Sequence, residues 1–123
     1  MKVGFLQTFP IFGKKYENVE TALSLIKRMD ADLVVLPELF NTGYQFTSWE
    51  ESLALAEPVP DGETTQALIK LAKENRLSIV AGLAGPSRNA ESAISTILTV
   101  GTPVVRVIGV AVWINQVVWI WPI

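Results

Sequence analysis

Leu33-Val34-Val35-Leu36 is a continuous apolar run closed by Pro37, and this combination narrows the fold more than any other feature of the chain. A run that is apolar at every position reads as a strand buried on both faces, as in a parallel sheet. Pro37 cannot donate a ladder hydrogen bond, so pairing should stop there. Glu38 is thereby delivered to the carboxyl edge of the sheet, where open α/β folds hold their ligands.

The periodicities on either side extend the pattern. They predict a strand over 2–8, a helix over 16–29, the strand 32–36, a loop over 37–48, a short helix over 49–56, a helix over 63–75 and a strand over 77–83. Strands alternating with helices predict a parallel sheet joined by right-handed crossovers. The first helix places Val19, Ala22, Leu23, Leu25 and Ile26 on one side, with Glu17, Lys27 and Arg28 outside, so it serves as cover for the sheet. In the helix over 63–75, Leu68, Ile69, Leu71 and Ala72 alternate with a wet face of Lys70, Lys73, Glu74 and Arg76. Ser48 begins the short helix, with Glu50 and Glu51 in its first turn. Glu57-Pro-Val-Pro-Asp-Gly62 reads as a turn-rich connection. Ala81-Gly-Leu-Ala-Gly85 reads as a strand-end turn, since two glycines without a lysine do not make a phosphate loop.

An acid just past a strand is ordinarily solvated or caps a helix. Glu38 differs in being flanked by Pro37, Leu39 and Phe40, an apolar setting that raises a carboxylate's affinity for a proton and suits it to general-base work. Asn41, Thr42 and Gly43 read as a tight turn with Gly43 at positive φ. Tyr44, Phe46 and Trp49 follow. They read first as packing that fixes the loop, with Tyr44 the candidate substrate contact.

The string Leu36-Pro-Glu-Leu-Phe-Asn-Thr-Gly-Tyr44 resembles the first catalytic-glutamate motif of the nitrilase, or carbon–nitrogen hydrolase, superfamily. Val3-Gly-Phe-Leu-Gln7, the helix around Asn18, Pro60-Asp-Gly-Glu-Thr-Thr65, Leu68 to Leu77 and Ile79-Val-Ala-Gly82 follow the family's order, so the resemblance runs from about Met1 to Ala84. It implies an α/β fold, the N-terminal half of an α-β-β-α sandwich with a mostly parallel sheet. It also implies a Glu-Lys-Cys triad acting on a small linear amide or nitrile, without metal or organic cofactor. Glutamate takes the thiol proton, the thiolate attacks carbon, and lysine with backbone N–H groups holds the oxyanion. By this resemblance Glu38 is the general base. The chain contains no cysteine, and its only lysines beyond Glu38 are Lys70 and Lys73, both on the wet face of a helix. The polypeptide is therefore expected to be incompetent as a hydrolase. The alternatives are a non-catalytic binding or interaction module of flavodoxin-like topology, in which Glu38 caps or contacts a ligand, and a tail-anchored membrane protein.

The second alternative comes from the C-terminal end. From Ser92 to Ile123 the only charge is Arg106, and Trp113, Trp119 and Trp121 stand among β-branched residues, so residues 1–91 read as a half-domain and 92–123 as an apolar tail. Three readings of the tail compete: a reading frame lost near Ala84 to Glu91 of a longer hydrolase, genuine strands over 94–100 and 104–112 around a turn at Gly101-Thr102-Pro103, or a membrane-seeking segment over 107–123. Its tryptophans mark either a partner surface or an uncovered segment prone to self-association.

At 123 residues the chain makes one small domain, about half of a complete nitrilase sandwich. A net charge of −2 with no basic run argues against nucleic acid as a partner, and the absence of cysteine removes any disulfide framework. With neither His nor Cys, only oxygen ligands remain for a metal, and no carboxylate pair has suitable spacing. Met1-Lys-Val-Gly leads straight into the first strand, so no signal peptide and a cytoplasmic location are expected.

Overall fold

The computed structural model describes residues 1–86, 93–100, 105–114 and 117–122, with side chains through Pro86. The expected elements form in order: β1 (Val3–Phe5), α1 (Lys15–Ile26), β2 (Leu33–Val35), α2 (Trp49–Leu55), α3 (Glu63–Asn75) and β3 (Ser78–Gly85), followed by β4 (Ala93–Val100), β5 (Val105–Ile114) and β6 (Val117–Pro122). The first strand is shorter than the expected 2–8, because β1 pairs with β2 only from Val3 to Phe5 and the chain then departs into the loop before α1.

The strands lie side by side in chain order, β1-β2-β3-β4-β5-β6. β1, β2 and β3 are parallel; β4, β5 and β6 continue the sheet antiparallel. The turn expected at Gly101-Thr102-Pro103 and the side chains of Trp113, Trp119 and Trp121 lie outside the described residues. Among the described residues, no helix is long and apolar enough to cross a membrane.

Parallel neighbours joined in sequence by crossovers of one hand carry their connecting helices on one face. The core lies on that side, where Val34, Ile79, Ala81 and Leu83 from alternate strand positions meet Ala22 and Ile26 of α1 and Leu68, Leu71 and Ala72 of α3. Each large aliphatic side chain so buried contributes about 1.5–3 kcal/mol, so packing of the amphipathic faces, not helix propensity, fixes α1 and α3. Gly4 leaves room for Met29: a Cβ there would lie 2.5 Å from the methionine Cε.

β2 was expected to be buried on both faces, and here the structure differs. Val34 is fully buried, but Val35 is 36% exposed, and Val3 and Phe5 of β1 on the same face are 59% and 78% exposed. The helices α1 and α3 pack on the opposite face, where the core lies.

Candidate active site

Pro37 ends the regular ladder as its chemistry requires. Leu36 N–H donates to the Val80 carbonyl at 2.8 Å, Pro37 has no N–H to offer, and the contact resumes one step on, where Leu39 N–H donates to Gly82 O at 3.0 Å. Glu38 lies between those two bonds, half-buried, at the carboxyl end of β2. Its backbone presses directly onto β3. A Cβ built on Gly82 would stand 2.8 Å from Glu38 Cα and 3.1 Å from its Cγ, so only glycine at that β3 position admits the main chain of the acid.

The turn after Glu38 holds one feature the sequence did not show. Gly43 takes φ +80°, as expected, but Leu39 is also left-handed at φ +52°. This conformation costs a non-glycine residue roughly 1–2 kcal/mol. The Leu39 side chain is 5% exposed and Phe40 is 1% exposed, so both adjacent apolar side chains are buried in this turn. The Leu39 carbonyl accepts from Thr42 N–H at 3.2 Å and Gly43 N–H at 2.8 Å, and Thr42 O accepts from Gly13 N–H at 2.9 Å. The β1–α1 loop is thereby tied to the turn that follows the acid.

Tyr44 is 49% exposed. Its phenol is held above its ordinary range, first by partial burial and then by the negative charge of Glu38. Phe46 packs edge-on against Phe12, with centroids 5.2 Å apart, which agrees with a packing role for that part of the aromatic cluster. Ser48 caps α2 by accepting from Glu51 N–H at 3.2 Å, and the Glu51 carboxylate accepts from Thr47 N–H and Oγ1–H, each at 2.8 Å. Lys70 and Lys73 stay on the exposed side of α3, Lys70 4.0 Å from Glu74.

A second acid escaped notice in the sequence. Glu57, in what read as a plain connection, is 6% exposed. Its Oε1 lies 3.0 Å from Lys15 Nζ and 2.8 Å from Thr64 Oγ1, and its Oε2 accepts from Thr64 N–H at 2.8 Å. The carboxylate thereby caps the N-terminus of α3, whose own N-cap residue, Gly62, has no side chain to do so. Thr64 Oγ1 in turn accepts from Asn41 Nδ2 at 3.2 Å, and the Asn41 carbonyl accepts from Asn18 Nδ2 at 2.9 Å. Asn18 also exchanges two hydrogen bonds of 2.8 Å with the Ile11 backbone. The one available signal was Glu57 preceding Thr64 by seven residues across a Pro-Val-Pro turn, and nothing in that spacing announces burial. Among the described residues, no three His, Cys, Asp or Glu side chains gather where they could hold a metal.

A parallel α/β sheet that presents a half-buried carboxylate at its carboxyl edge, pinned by a glycine of the next strand, defines a class of α/β proteins with a strand-end acid site. The chain belongs to the carbon–nitrogen hydrolase family, whose sequence model matches residues 5–102. That match continues through β4, past the point near Ala84 to which the motifs carried the resemblance. The chain is 42% identical over 87 residues to the nitrilase of Pyrococcus abyssi, covering 68% of this chain and 33% of that one. It is 37% identical over 83 residues to the 2-oxoglutaramate amidase of Bacillus subtilis, covering 65% and 30%. The fold superposes on a CN-hydrolase superfamily protein from Xanthomonas campestris with a TM-score of 0.72 at 18% identity, covering 85% of this chain and 38% of that one. The chain thus spans about a third of the length of the curated relatives it matches, and its fold is that part of the family's α-β-β-α architecture.

Proposed function

We propose that Glu38 is the general base of a carbon–nitrogen hydrolase site for a small linear amide or nitrile, with Tyr44 as a substrate contact. We further propose that this polypeptide alone does not turn over. The observation that carries the reading is the placement of Glu38 between two backbone bonds to β3, which seat its main chain against the sheet. A base must stand within hydrogen-bond reach of the proton it removes, which favours a rigid mount. A carboxylate cannot take the nucleophile's part in the family's thiol chemistry, and the chain has no cysteine.

The sequential order β1-β2-β3 supports this reading over a flavodoxin-like binding module, whose sheet begins 2-1-3. Self-association through the apolar tail, residues 92–123, belongs to the same proposal. The test is ammonia release from aliphatic amides, ω-amides and nitriles. No release above the buffer rate is expected; turnover that disappears in Glu38→Gln would show the chain to be competent and refute the second half of the proposal.

A further inference from the structure

The hydrogen bonds from Glu57 to Asn41 have a fixed sense. An ionised carboxylate only accepts, and Lys15 Nζ and Thr64 N–H both donate to it. The Thr64 hydroxyl, 2.8 Å from Glu57 Oε1, must spend its single proton there. Toward Asn41 that oxygen can only accept, so Asn41 has to present its amide NH2. The Asn41 main-chain carbonyl is held independently by Asn18. Asn41 is fully buried and sits in the turn that begins at Leu39. A left-handed leucine relaxes unless its surroundings hold it, and within this turn Asn41 is held by Thr64 through its side chain and by Asn18 through its main chain.

We propose that Glu57 is a positioning residue for Glu38: paired with Lys15, it fixes the donor sense of Thr64, which locks Asn41 and holds Leu39 in the left-handed form that directs Glu38. In this scheme Glu57 and Thr64 act on Glu38 through the turn that carries Asn41. Its functional meaning rests on the reading of Glu38 as the base, but the mechanical linkage does not. If Glu57 only capped α3, its loss would weaken that helix and leave the surroundings of Glu38 unchanged.

Tyr44 reports on Glu38 without any need for turnover, because the charge of Glu38 helps to hold its phenol up. The chain has two tyrosines, so in a Tyr16→Phe background of the full chain the near-ultraviolet phenolate band reports Tyr44 alone. Glu38→Gln should lower the Tyr44 midpoint toward 10.0, its ordinary value. Thr64→Val, which keeps shape but cannot accept from Asn41, and Glu57→Gln should lower it in the same direction. Neither should add to the shift when combined with Glu38→Gln. Thr64→Ser, which keeps the hydroxyl, should retain the parental midpoint. An unchanged midpoint in folded Thr64→Val would overturn the proposal, as would a shift that persists undiminished in the Glu38→Gln background. No response to Glu38→Gln itself would do the same. If Glu57→Gln does not fold, the Thr64 pair decides alone. Ammonia release plays no part in this readout, so failure here and failure of the proposed function are separate results.

Discussion

Gly82→Ala is the sharpest probe of how Glu38 is mounted. The new methyl would stand 2.8 Å from Glu38 Cα, whereas ordinary contact begins near 3.4 Å, so the two backbones must part by about 0.6 Å. β3 cannot yield easily, since it is paired with β2 on one side and β4 on the other. The turn carrying Glu38 must move, and that stretches the Leu39 N–H to Gly82 O bond, now 3.0 Å. Overpacking costs about 1–3 kcal/mol, and meeting backbone, not a flexible side-chain tip, places this case at the upper end. Restricting the unfolded chain returns about 0.4–1 kcal/mol. The net loss of about 2 kcal/mol should lower Tm by roughly 6–10 °C for a chain of this size. Thermal melts followed by circular dichroism measure this directly. A Tm within about 2 °C of the parent, less than ~0.5 kcal/mol, would mean that Glu38 is not seated on β3 and would refute the reasoning.

Two further outcomes follow from the same loop. Leu39→Gly relieves a left-handed strain of about 1–2 kcal/mol but forfeits a buried leucine, a loss of about 2–5 kcal/mol for truncation to alanine alone. Burial therefore wins, and urea titration should find the variant less stable; a more stable variant would show that the leucine contributes nothing to the turn. Glu51 is held below the usual carboxylate value of 4.5, chiefly by Thr47 N–H and then by its hydroxyl. Because the folded value is the lower one, its contribution is present above about pH 4.5 and fades as pH falls through the folded value. The effect is small because the group is exposed, and Glu51→Gln should flatten the slope of stability against pH below that point.

The sequence by itself determined the order and kind of the elements through β3 and the placement of Glu38 at a strand end. These are local matters: Leu33 to Leu36 reads as a strand, Pro37 removes one donor, and Gly43 admits positive φ. The amphipathic pattern of α1 and α3 likewise needs no partner to be read. Tertiary structure decided what depends on who stands opposite. Val35 is exposed although its run is apolar throughout, because both crossover helices fall on the other face of the sheet. Leu39 is left-handed in a turn fastened to Gly82 of β3, a contact no local propensity expresses. Glu57 looks like an ordinary turn acid until Lys15 and Thr64, distant in sequence or across a turn, surround it and remove it from water. Pattern and covalent constraint act within a few residues and survive in the sequence; burial and pairing are properties of contacts, and they exist only once the chain has folded.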